Sequence, residues 1–193
     1  MNRVSLRVAC LMAALSSVAL SGCAAEAAPA WRTGTLDEFA LNAAFPSADP
    51  VCALRSGERT YGFEQVLGGT CPDPQARRRL SIAAQFNNDR RSWDELARIA
   101  CPAGSAPAPF TVQVRQDAGR VVACVPANAA PDTVAVTFLA MPRTRNQLFT
   151  YDGPALIYTM ELTTDRTRQR GDLRVFGEFL RRVTLQGAQL TVD

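Results

Sequence analysis

Apolar side chains recur at every second position through much of the later half of the chain, and that alternation predicts β-strands. Phe110, Val112 and Val114 alternate with Thr111, Gln113 and Arg115. Asp117-Ala118-Gly119 then turns the chain, and Arg120 to Val125 returns as a hairpin partner. Val134, Val136 and Phe138 mark a further strand, Leu148 to Tyr151 another and Leu156 to Leu162 a long one, with Asp152-Gly153 as the turn between the last two. Leu173 to Leu180 and Val183 to Val192 read as closing strands. In the last run Val183 and Leu185 share one parity while Leu190 and Val192 take the other, so Gly187 marks a bulge or turn where the register changes. About seven short strands after residue 110 predict an antiparallel β-sandwich or barrel in the C-terminal half.

The earlier half reads differently. Thr35-Leu36-Asp37-Glu38 fits a capping box, and Phe39, Ala40 and Ala43 follow at helical spacing until Pro46 and Pro50 stop the element. Val51 to Leu67 fits neither period, with Gly57 and Gly62 interrupting it. Asp73-Pro74 has the form of an N-cap followed by proline at the first helical position, with Ala76, Leu80, Ala83 and Ala84 as a buried stripe. Leu80, Ile82, Ala84 and Phe86 also alternate as in a strand, so both readings stand. Ser92-Trp93-Asp94-Glu95 is a second capping box, continued by Leu96, Ala97 and Ala100 and ended by Pro102. The expected class is mainly β with minor α: two or three short helices in the N-terminal half, covering an end or open edge of the β part. Residues 35–193 form one expected domain, divided into a helical part 35–101, the linker "PAGSAPAP" at 102–109 and a β part 110–193.

The first residues follow another logic. Arg3 and Arg7 precede an uncharged run from Val8 to Leu20, well short of the roughly 20 residues that span a bilayer. Leu20-Ser21-Gly22-Cys23 resembles the lipobox of bacterial lipoproteins. That resemblance implies removal of residues 1–22 as a signal peptide, lipidation of Cys23 by diacylglycerol and usually a third acyl chain, and residues 23–34 as a tether. Two or three acyl chains make a stable anchor at about 0.8 kcal/mol per buried CH₂. Ala24 stands where some two-membrane bacteria use aspartate for inner-membrane retention, which favours the outer membrane as the destination. The plainer alternative is ordinary signal cleavage between Ala25 and Ala30.

Composition narrows the chemistry. Loss of Arg3 and Arg7 leaves 19 arginines against 18 acids, so global attraction to nucleic acid is not expected. Arg77 to Arg79 beside two short helices could suggest phosphate contacts of a DNA-reading pair, but export makes a solvated arginine face the better reading. The chain has no histidine and no lysine. Ser-His-Asp and Cys-His machinery, Schiff bases and most zinc and copper sites are therefore excluded. No cofactor or metal is indicated. Carboxylate chemistry remains, yet Asp37-Glu38 and Asp94-Glu95 sit where helix first turns ordinarily place acids.

Four cysteines remain after the leader and Cys23 are set aside: Cys52, Cys71, Cys101 and Cys124. In an exported chain they suggest two disulfides. The sequential pairing, Cys52 with Cys71 and Cys101 with Cys124, closes two loops of about 20 residues, each contributing about 3 kcal/mol in the chain-entropy model. Taking strands 133–140, 147–151 and 155–163 as successive antiparallel neighbours also gathers Arg143, Arg145, Arg166, Arg168 and Arg170 at one end of the sheet, a candidate anion-binding surface. The leading expectation is a lipid-anchored cell-envelope protein with a non-catalytic binding or structural role. Its partners would be the membrane through the anchor and an anionic envelope polymer or envelope protein. The alternative is a carrier of a small apolar ligand, set against the simpler reading of Phe110, Phe138, Phe149, Tyr158 and Phe176 as core. A carboxylate-based hydrolase is the third reading, requiring two acids about 5 to 9 Å apart in a cleft.

Overall fold

Alternation decides most of the architecture, including stretches where helices were expected. A computed structural model describes residues 30–55, 61–129, 132–141 and 153–193. The segment from Thr35 to Pro46 is two strands, β1 (Trp31–Leu36) and β2 (Leu41–Pro46), joined by a single 3₁₀ turn at Asp37–Phe39. The reason lies in Phe39, Leu41, Ala43 and Phe45, which alternate and are all buried. Leu36 precedes the turn with no side-chain cap, so the apparent capping box caps nothing. Because β1 begins at Trp31, residues 31–34 of the expected tether belong to a sheet.

The undecided stretch becomes β3 (Val51–Arg55) and β4 (Tyr61–Val66), and residues 79–86 become β5 (Arg79–Phe86). Leu80, Ile82 and Ala84 are fully buried on one face of β5, which settles strand over helix. Asp73 does perform cap-like chemistry, its Oδ1 accepting from Gln75 N at 2.9 Å, but this closes a turn instead of starting a helix. Only α1 (Trp93–Ala100) matches an expected N-terminal helix, with Ser92 Oγ accepting from Glu95 N at 3.3 Å. The division into a helical and a β part is thereby overturned.

The remaining elements are β6 (Ala106–Pro107), β7 (Val112–Gln113), β8 (Gly119–Val125), β9 (Thr133–Ala140), β10 (Leu156–Thr163), α2 (Gln169–Arg181), β11 (Val183–Leu185), β12 (Ala188–Gln189) and β13 (Thr191–Val192). The 102–109 segment contributes β6, an edge strand paired with β8, and so does not separate two halves. The expected hairpin partner of β7 is not β8: β7 pairs with β13 instead. Residues 173–180 are not a strand but the body of α2, since Phe176, Phe179 and Leu180 bury one helical stripe together with Asp172. Gln186 and Gly187, with φ of 51° and 72°, form the two-residue turn between β11 and β12. That turn flips the parity, so Val183, Leu185, Leu190 and Val192 are all buried.

The strands assemble into a seven-stranded sheet of order β3-β4-β5-β10-β9-β8-β6, a four-stranded sheet of order β1-β2-β11-β12, and the β13-β7 pair. Every pairing is antiparallel and neither larger sheet closes on itself, so the barrel expectation is not met. The four-stranded sheet and α2 cover the inner face of the seven-stranded sheet around one hydrophobic core. Phe45 meets Phe63 and Phe179 at centroid distances of 6.3 and 5.0 Å within it. Asp172, only 4% exposed, is held by a two-pronged bond from Arg78 (2.8 and 2.6 Å) and by Thr164 Oγ1 (2.6 Å), fastening α2 to the segment before β5. Hydrogen bonding to Asp172 raises the pKa of Arg78 and keeps the guanidinium charged. Among the described residues no helix is long and apolar enough to cross a membrane.

Candidate functional site

Successive side chains of a strand point to opposite faces, so β5, β10 and β9 present a second set of residues away from the core. The register places them in rows. Thr159 opposes Thr137, Thr163 opposes Thr133, and Glu161 lies between Ser81 on β5 and Ala135 on β9. Ile157 opposes Leu139 in the last row, and there α1 packs down through Leu96. Beyond the cover of α1 the outer face is an open groove of about 660 Å³, within the roughly 300–1,000 Å³ usual for small-ligand sites.

Each wall has a local cause. α1 is fixed to β8 at both ends: the Cys101–Cys124 disulfide holds its C-terminal end, and Arg120 Nη1 meets Asp94 Oδ1 at 3.2 Å beside its first turn. The same guanidinium stands 5.2 Å above the Trp93 ring. Along this wall Leu96, Ile99 and Ala100 line the groove, with Ile99 52% exposed. The rim at residues 87–91 is shaped by Asn87. Its Nδ2 donates to the Arg91 and Pro154 carbonyls (2.8 and 2.9 Å), and its Oδ1 accepts from Arg91 N (3.0 Å). Arg91 on that rim is neutralised by Asp89 (3.1 Å) and Glu95 (3.7 Å).

Glu161 is the distinctive member of the floor. Its side chain is open to solvent from above, yet the concave surface removes water from its flanks, and this desolvation raises its pKa above the ordinary carboxylate range. Among the described residues no cation or hydrogen-bond donor engages its carboxylate. The one other groove acid among the described residues, Asp89, is occupied by Arg91. The groove therefore offers one free carboxylate among hydroxyls and not the pair of acids that hydrolysis requires. Among the described residues, no three of Cys, Asp and Glu gather as metal ligands.

Both disulfides join the cysteines paired in sequence order, Cys52 with Cys71 and Cys101 with Cys124. Cys23 lies outside the described residues, as do Arg143, Arg145 and Phe149. The strand directions used to gather five arginines are corrected by the register. β9 and β10 are direct antiparallel neighbours, so Ala140 meets Leu156 at one end of the ladder and Thr133 meets Thr163 at the other, about 25 Å away. Arg166, Arg168 and Arg170 are exposed at the Thr163 end, whereas Met141 and Gly153, which flank residues 142–152, stand at the Ala140 end. Arg166 approaches Asp132 at 4.0 Å. The Thr163 end also receives Arg79, paired with Glu64 at 3.5 Å, and exposed Arg77. Of Arg77 to Arg79 only the first is a solvated arginine with no partner among the described residues.

Phe110, Phe138, Tyr158 and Phe176 belong to the core, with Phe138 against Tyr158 at 5.9 Å and Phe110 against Phe176 at 5.8 Å. Tyr158 Oη donates to the Phe39 carbonyl, and Gln186 Nε2 donates at 3.0 Å to that carbonyl and to Tyr158 Oη. Sequence reasoning passed over Glu161 and the threonines. Their signal was present in the polar parity of the run from Leu156 to Thr163, where Thr159, Glu161 and Thr163 occupy the positions that do not enter the core.

No family model matches the chain, and no curated protein matches it. Among solved structures, the chain is similar to the solution structure of a cyanobacterial PsbP (CyanoP) from Synechocystis sp., with 9% identity and a TM-score of 0.41. The match covers 86% of this chain and 98% of that one. An overlap of that extent carries no inference about activity or partners.

Proposed function

We propose that this chain is a lipid-anchored protein of the cell envelope whose folded part is a non-catalytic binding module, with the outer-face groove as its binding surface. In a two-membrane cell its destination is the outer membrane. In this reading the two larger sheets form an open sandwich, and the groove lies on the side turned away from their shared core. The observation that carries the proposal is a groove whose apolar wall, α1, is bolted by a disulfide and an arginine strap to β8, the strand beside its polar floor, so its shape is held before any ligand arrives. The lipobox at Leu20 to Cys23 supports the address.

Two measurements test this reading. Intact-mass analysis of the mature protein should show an acylated Cys23 at the N-terminus, and Cys23→Ser should abolish it. A photo-crosslinking residue at Ile99 should form an adduct in intact envelopes, while the same residue at exposed Arg174, on α2, should not. An unmodified N-terminus downstream of Cys23 overturns the address. Equal adduct formation at both positions, or none at Ile99, overturns the groove.

A further inference from the structure

We propose that the groove is a site for an aliphatic ammonium group, its nitrogen at Glu161 and its carbon stem along Ile157, Leu96 and Ile99. The inference rests on the reading of the groove as a binding surface and specifies its ligand. Glu161 is the one groove charge without a partner among the described residues. The two cations around it are committed elsewhere: Arg91 on the rim to Asp89 and Glu95, and Arg79, diagonally across on β5, to Glu64. An anion would meet uncompensated repulsion there, while a cation would restore the interaction that the carboxylate lost with water.

The surroundings select the kind of cation. An ammonium carries three donors and needs three acceptors. Glu161 supplies the charged one, and neutral ones come from the hydroxyls of one neighbouring row, Thr159 and Thr137 on the side toward α1 or Thr163 and Thr133 on the other. Ile157 lies four residues along β10 from Glu161, about 13 Å of strand, so a stem leaving the carboxylate toward α1 passes over Thr159 in the direction of the apolar wall. A peptide cannot add itself here as a strand, because β5, β10 and β9 are each paired on both sides. The chain has no lysine of its own to occupy the site.

The same chemistry is offered by a free alkylamine and by a lysine side chain of a partner protein, and the test separates them. The mature chain carrying Cys23→Ser is titrated with hexylamine, 1,5-diaminopentane and Nα-acetyl-lysine methylamide, with 1-hexanol and hexanoate as matched controls. Amide shifts of Thr137, Thr159 and Glu161 are followed by NMR. The expected result is saturable binding of at least one amine, about tenfold tighter than hexanol, with no binding of hexanoate. Glu161→Gln should lose about that factor, while Glu178→Gln, on α2 outside the groove, should keep the affinity. A tighter free amine identifies a small-molecule source, and a tighter capped lysine identifies a protein side chain. Equal affinity for hexylamine and hexanol, undiminished affinity in Glu161→Gln, or shifts confined to residues outside the groove would overturn the ammonium. If Ile99 crosslinks in envelopes under those outcomes, the groove reading survives and only its ligand assignment falls.

Discussion

On its inner face the seven-stranded sheet presents Leu80, Ile82, Val136, Met160 and Leu162, none of them exposed, to α2 and the smaller sheet. On its outer face the same three strands present Gln85, Thr137, Thr159 and Glu161 to an open groove. One set of backbone ladders supports both, so the strands' stability is secured by the inner set and leaves the outer set free to be polar. The Glu161 carboxylate on the outside is tolerated because water can still reach it; in the inner set a carboxylate would need a buried partner, as Asp172 does. The face that the core does not need is the one on which the proposed binding role rests.

The sharpest break of that comparison uses neighbours on β10. Met160→Ala, facing inward, should cost about 3 kcal/mol in urea unfolding, whereas Thr159→Ala, one residue away and facing the groove, should stay within about 1 kcal/mol. Similar losses at both positions would dissolve the distinction between the faces. Removing the pin between α2 and the sheet by Asp172→Ala should also cost about 3 kcal/mol, and a thermal midpoint indistinguishable from wild type would show that Arg78 finds another partner. Replacing Cys101 and Cys124 together by serine should cost about 3 kcal/mol or less and enlarge hydrogen exchange in α1 ahead of β9. Uniform exchange across both elements would mean the disulfide does not hold the wall. Ser92→Ala should cost about 1 kcal/mol, confined to the same helix.

Glu161 gives the smallest effect and the most specific sign. Burial raises its folded pKa above the unfolded one, so the folded state takes up its proton more readily. Its contribution is therefore favourable at low pH and is lost as pH rises through the folded value. The charged groups around it are Asp89 and Arg91 on the rim, Glu64 across Ser81 in the same row, and Arg79, paired with Glu64, in the next row. Glu161→Gln should melt slightly above wild type at neutral pH, and the gap should close near about pH 4. A gap that widens on acidification would contradict the desolvation account.

How much of this was legible depended on whether one physical signal dominated a segment. Leu156 to Leu162, the Ser92 cap, the parity change at Gly187 and the sequential disulfides each had a single strong cause, and the structure bears them out. Residues 35–46 carried two signals, a four-residue capping pattern and the alternation of Phe39, Leu41, Ala43 and Phe45, and burial against the core favoured the longer one. In α2 the stripe of Phe176, Phe179 and Leu180 was obscured by Leu173 and Val175, which extend an apparent strand. The arginine surface required a topology as well as elements, and pairing β9 directly with β10 reversed its premise. Glu161 was hidden because a polar residue in a strand announces only that its face is uncovered. What surrounds it is decided by strands up to 80 residues away in sequence.

β1 has a geometric consequence for how the molecule would stand on a bilayer. Gly34 of β1 lies against the ring of Phe63, on the inner side of the large sheet, and Trp31 at the start of that strand is stacked beneath Arg182 at 4.5 Å. The groove opens on the opposite side, with the thickness of the core and a sheet between them, about 10 Å from sheet to sheet. An acyl anchor at Cys23 would reach β1 through residues 24–30, about 25 Å when fully extended. It would therefore moor the protein by its back. With the proposed anchor in place, the mouth of the groove would face the aqueous compartment, sampling whatever diffuses past, and the lipid would fix only its distance from the membrane.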